Sequence, residues 1–202
     1  MKKIRFLMIV TAIFGSLFVY GCGGSDDDGD TPTDTTTTDL EKQGKVMYQG
    51  KDFTIVIPQK WDVISPEEFT SNYPKEVVIS FRNNIKNEIF TANITIAVTA
   101  LENEISSEDF GKNSVKKQKE FIPEFKETKT SKQDLTFKEE KILTYFIQSE
   151  GKKSAQDPLL KFAQLFAVYN KKAYTISASY LPTEDENVVN AINEMINSFS
   201  LK

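Results

Sequence analysis

The chain has 202 residues, of which 25 are basic, 29 acidic, none histidine and one cysteine, giving a net charge of −4. The absence of histidine removes the usual general base near neutral pH and the commonest metal ligand. The single cysteine excludes an internal disulfide, and so small a charge excess gives no footprint for nucleic acid.

The first residues carry Lys2, Lys3 and Arg5, and an apolar stretch from Phe6 to Tyr20 follows. At 15 residues, interrupted by Thr11, Gly15 and Ser16, this stretch falls short of the roughly 20 that span a bilayer. A basic start, a short apolar core and a small residue before a cut define a secretory signal peptide, expected over 1–21. Val19-Tyr20-Gly21-Cys22 resembles the bacterial lipobox, with Tyr20 where Ala or Ser is commoner. That resemblance implies cleavage after Gly21 and diacylglyceryl and palmitate attachment to Cys22, which consumes the only thiol. The expected location is extracytoplasmic, lipid-anchored to a bacterial cell membrane or outer membrane. Two or three acyl chains hold essentially permanently, since each buried methylene contributes about 0.8 kcal/mol.

Residues 22–44, "CGGSDDDGDTPTDTTTTDLEKQG", hold seven acids and one lysine and almost no apolar side chain. A segment this polar cannot offset the entropy of ordering, so a disordered acidic Thr/Asp/Gly tether is expected. Asp26, Asp28 and Asp30 alternate as calcium ligands do, but an EF-hand loop needs Gly and Glu where Thr31 and Thr37 stand. With the three basic residues of 1–21 also set aside, 45–202 keeps 21 basic and 22 acidic residues. The acidity belongs to the tether.

Residues 45–202 form one domain by length, without an internal repeat. Strands are expected near Val46 to Tyr48 and over Phe53 to Ile57, where Phe53, Ile55 and Ile57 alternate with Thr54 and Val56. Pro58, which has no amide donor, ends the second of these and delivers Trp61 and a short continuation to Ile64. "SPEEF" reads as a helix start with Ser65 as N-cap, Pro66 first and Glu68 closing a capping box. Two strands follow at Glu76 to Arg82 and Phe90 to Leu101, then a helix from Ser106 to Phe121. The second half predicts three strands, Lys141 to Glu150, Leu159 to Tyr169 and Ala173 to Leu181, the last two joined by a turn at Asn170-Lys171-Lys172. A closing helix, capped by Thr183 and Glu186, places Val188, Ile192, Met195, Ile196 and Phe199 on one stripe. The sum is α+β, a mainly antiparallel sheet covered by helices on both faces.

The runs "FTIVIPQKWDVI", "SSEDFGKNSV", "ILTYFIQSEG", "FAVYNKKAYTISASYL" and "INSFSL", in that order, resemble the PsbP-like family, which includes DcrB-type bacterial lipoproteins. The resemblance covers nearly all of 45–202. It implies an α/β/α sandwich, a fold that also occurs in a eukaryotic Ran-binding import factor, and accessory, non-enzymatic roles without catalytic residues.

The remaining chemistry fits that expectation: no catalytic residue, cofactor or metal ligand is assigned. Ser114 to Lys117 formally match Ser-x-x-Lys, but on a polar helix face and without its partner motifs. Lys112, Lys116, Lys117 and Lys119 form a possible partner surface, and a second lies in the loop after Gly151. The expected function is a monomeric, membrane-anchored accessory lipoprotein that binds a protein or envelope component. The alternative is an amphiphile-binding lipoprotein with a pocket between sheet and helix, for which the candidate lining aromatics are Tyr145, Phe146, Phe162, Phe166, Tyr169, Tyr174 and Tyr180.

Overall fold

A computed structural model describes residues 35–69, 73–137 and 140–202; the signal peptide, Cys22 and the first part of the tether lie outside the described residues. The chain begins with α1 (Thr35–Lys42), then β1 (Lys45–Gln49), β2 (Phe53–Pro58), β3 (Asp62–Ile64), a 3-10 turn at Pro66–Glu68, β4 (Val77–Arg82) and β5 (Asn93–Ala100). It continues with α2 (Ser107–Phe121), β6 (Lys126–Phe137), β7 (Glu140–Lys152), β8 (Leu159–Tyr169), β9 (Lys172–Tyr180), α3 (Glu186–Ser198) and β10 (Ser200–Leu201). The strands form one sheet in the order β1-β2-β10-β6-β7-β8-β9-β5-β4-β3, antiparallel except where β10 meets β6.

Four expectations are corrected. Residues 35–42, assigned to the disordered tether, are helical: Gly44 closes the helix at φ +68, a left-handed position that suits glycine, and its N–H donates to Glu41 O at 2.9 Å. The "SPEEF" signal makes only a single 3-10 turn, with its capping box intact, because Phe69 already returns to extended backbone. The second half holds five strands, not three, since β6 and β10 were not anticipated. The cap of α3 is Asp185, whose carboxylate accepts from Asn187 N at 2.8 Å, rather than Thr183.

Strand β8 is buried along most of its length and uses both of its faces. Ala163, Leu165 and Ala167 join Tyr174, Ile176 and Ala178 of β9, Ile94 and Ile96 of β5, and Ile192, Met195 and Ile196 of α3 in the main core. The alternate residues face the other way, with Phe166 packing against Phe110 and Val115 of α2 and Tyr145 and Ile147 of β7. Accordingly α3 lies against β2 and β9, and α2 against β7 and β8. At Gly111 the helix α2 comes so close that an added Cβ would overlap the Tyr145 ring. Asn170 and Lys171, both at positive φ, make the two-residue turn that fixes the β8–β9 register at Tyr169 opposite Lys172.

Candidate functional site

The four lysines of the expected partner surface all stand on α2. Ser106 caps this helix by accepting from Asp109 N at 3.0 Å, and the buried Ser107 hydroxyl accepts from Val168 N at 2.9 Å, tying the helix start to β8. Lys112 pairs with Glu108 at 2.8 Å, and Lys132 of β6 reaches the other oxygen of Glu108 at 2.6 Å. Lys119 pairs with Glu127 of β6. Lys116 is exposed, whereas Lys117 is half-buried and engaged. Two of the four lysines, Lys112 and Lys119, are thus tied into ion pairs with neighbouring acids. Hydrogen bonds from Lys112 and then Lys132 hold the Glu108 carboxyl down to about 2, and Glu108 in turn raises the Lys112 ammonium. The pairing escaped the sequence reading because β6 supplies half of it.

Beyond Gly151, Lys152 pairs with Glu124 at 2.6 Å, and a Cβ at Gly151 would press on Ile122 at 2.5 Å. The second expected surface is thus the seam between the end of α2 and the end of β7.

Of the aromatic side chains considered for a pocket wall, five are buried core residues, while Phe146 and Tyr169 are half-buried against the main core. Tyr145, Phe162, Phe166, Tyr174 and Tyr180 are all buried, and Phe166 packs edge-on against Phe110 with ring centres 6.1 Å apart. Burial raises the phenol pKa of Tyr174 and of Tyr180. A groove of about 160 Å³ lies elsewhere, between α1, β2 and α3, with Leu40, Val56, Pro58, Ala191 and Met195 among its lining residues. Its volume is below the roughly 300–1,000 Å³ of ordinary small-molecule pockets. Lys45 and Glu194, both lining residues, pair at 3.0 Å.

The face of the sheet that bears α2 also carries a buried polar band that alternation alone does not announce. Ser80, Thr95, Ser177 and Gln164 stand opposite one another across β4, β5, β9 and β8, and all are buried. Gln164 Nε2 donates to Ser177 Oγ at 2.8 Å, while Gln164 Oε1 and the hydroxyls of Ser149 and Ser179 have no partner. At the edge of the band Arg82 clasps Asp62 at 2.9 Å.

No described group of three or more Cys, Asp or Glu is arranged to hold a metal ion. The Ser114 hydroxyl donates to Phe110 O at 2.9 Å, so it serves the helix backbone instead of facing Lys117 as a nucleophile would face its base. No described helix is long and apolar enough to cross a membrane.

No protein-family model matches the chain, and no curated protein resembles it in sequence. Solved structures do resemble it. The solution structure of cyanobacterial PsbP (CyanoP) from Synechocystis sp. PCC 6803 matches with TM-score 0.57 at 12% identity, covering 91% of this chain and 99% of that one. LpqN, involved in cell envelope biogenesis of Mycobacterium tuberculosis, matches with TM-score 0.56 at 14% identity, over 85% of this chain and 99% of its own. The Saccharomyces cerevisiae Ran-binding protein Mog1p matches with TM-score 0.52 at 11% identity, over 77% and 93%. At these identities the likeness concerns the fold: this is an α+β chain with a mostly antiparallel sheet, of PsbP-like architecture.

Proposed function

We propose that the protein is a lipid-anchored extracytoplasmic lipoprotein that binds a protein or envelope component and carries no catalytic activity. The observation that carries this reading is Cys22, the only cysteine, set directly after a short apolar stretch and Val19-Tyr20-Gly21. The α2 and α3 helices, packed on strand residues of opposite parity, support reading the domain as an α/β/α sandwich. The likeness to LpqN, described as involved in cell envelope biogenesis, and to the Ran-binding Mog1p supports a binding role for such a scaffold. In this reading the acidic residues 22–34 hold the domain off the lipid headgroups, and the exposed face of α2, with Lys112, Lys116, Lys117 and Lys119, meets the partner. The ion pairs of Lys112 and Lys119 fix the positions of these two side chains, which favours a partner recognised by geometry.

Metabolic labelling with a palmitate analogue tests the anchor. Label should enter the wild-type protein and be absent from Cys22→Ser; equal label in both would sink the reading. Charge reversal at Lys116, which is exposed, should weaken partner capture without changing thermal stability.

A further inference from the structure

The connection from Asn83 to Ala92, between β4 and β5, presents Ile85 and Ile89, which are 71% and 67% exposed. The loop holds these two side chains out in a built conformation. Asn83 N donates to Ala92 O at 2.9 Å and closes the base. The Asn83 side-chain oxygen accepts from Ile85 N at 3.2 Å, and that of Asn87 accepts from Ile89 N at 2.8 Å and Phe90 N at 3.4 Å. Asn87 N donates to Thr91 Oγ1 at 3.2 Å. Phe90 anchors the loop on Leu160, Phe162 and Leu181.

Where this loop stands matters as much as what it shows. Gly44 O, just after α1, accepts from Gln59 N at 2.9 Å. Asp62 then pairs in register with Arg82, the residue before Asn83. The three residues from Gln59 to Asp62 form a turn that spans at most about 10 Å, so the base of the loop stands near the start of β1, which α1 precedes.

We propose that this loop docks on the bilayer to which Cys22 is anchored, with Ile85 and Ile89 entering its interface; the inference rests on the anchor reading above. Three observations favour a bilayer. The two aliphatic side chains stand at the end of the sheet where β1 begins, one short helix, α1, from the anchored segment. Their own amides are already satisfied by Asn83 and Asn87, so moving them out of water strands no backbone donor. Only 12 residues separate Cys22 from Thr35, a reach of at most about 45 Å, which keeps the loop at about millimolar effective concentration over the lipid. Two side chains too weak to hold a free protein on a membrane suffice under that constraint. Lys86 and Glu88 between them cancel, so the contact is apolar and indifferent to anionic lipid.

The test uses the full-length acylated protein in phosphatidylcholine vesicles, with Ile85→Cys carrying an environment-sensitive dye, the Cys22 thiol being consumed by its acyl group. Iodide quenching should fall roughly two- to threefold relative to the same dye at Leu143→Cys, on an exposed strand position remote from the loop. Adding Ile89→Asn should restore quenching. An acylated protein whose dye at position 85 is quenched as freely as at 143 overturns the inference alone. An unacylated protein, identified by its mass in the same sample, overturns the anchor reading and the docking with it. Protection seen only in native membranes, and not in lipid vesicles, overturns it in favour of a protein partner.

Discussion

Tyr48 and Phe81 meet edge to face, with ring centres 5.2 Å apart and planes at 77°, although their strands stand first and ninth in the ten-stranded order. Hydrogen bonding alone would leave β1 and β4 far apart. Their contact means that the sheet curls until β1 and β2 lie over β4, β5 and β9, enclosing the main core with α3. Phe81 is fully buried at that closure. Phe81→Ala should therefore cost about 3–5 kcal/mol in chemical denaturation, as large core truncations do. A double-mutant cycle with Tyr48→Ala should return a coupling of about 0.5–1.5 kcal/mol for the ring pair. No coupling would mean the two ends of the sheet do not touch in solution.

Trp61, the only tryptophan, is delivered by Pro58 through a turn in which its N–H donates to Pro58 O at 3.0 Å, and it is buried in the same core. Trp61→Ala should cost about 3–5 kcal/mol. An unchanged denaturation midpoint would place the indole in solvent, where it would serve an interface instead.

Gly111 sets the distance between α2 and the sheet. Gly111→Ala puts a methyl into the Tyr145 ring and close to Phe166, so it should destabilise by about 1–3 kcal/mol despite the better helix propensity of Ala. Calorimetry of the single variant and of Gly111→Ala with Tyr145→Ala checks the cause. If the clash is responsible, Gly111→Ala should cost little in the Tyr145→Ala background.

Glu108 ties α2 to β6 through Lys112 and Lys132. Its folded pKa is depressed from the ordinary 4.5 to about 2, so its contribution is present above the ordinary glutamate range and is lost as pH falls toward 2. Carboxyl NMR titration should place its midpoint near 2, and Lys132→Gln should move it upward. A midpoint at the ordinary glutamate value would contradict the bridge.

That bridge also marks where sequence reading reached its limit. Strands such as Phe53–Pro58 and Asn93–Ala100 were legible because one face is apolar and the period of two shows. Strand β6, "KETKTSKQDLTF", carries few apolar residues; it is held by pairing with β7 along its length and meets β10 only at Leu201 opposite Phe137. Its main partner β7 follows directly in the chain, with Phe137 opposite Glu140, but both faces of β6 are polar along most of its length, so no apolar alternation reveals it. The same holds for β10, two residues long between Phe53 of β2 and Phe137 of β6. Among the candidate sites, the lysines of α2 were legible as a helix face, but the ties of Lys119 and Glu108 to Glu127 and Lys132 of β6 were not. Ile85 and Ile89 in "NNIKNEIF" were not singled out by any pattern in the sequence. What they needed was the Asn83 and Asn87 hydrogen bonds that hold them outward.

The central claim is that this domain works from a lipid anchor at Cys22, and the mass of the mature protein, extracted from membranes with detergent, tests it most directly. The account predicts a chain that begins at Cys22 and carries the added mass of diacylglyceryl, with or without a further acyl group on the new amino terminus. A mature chain that begins at another residue, or that retains Met1, with an unmodified Cys22 thiol, would contradict it.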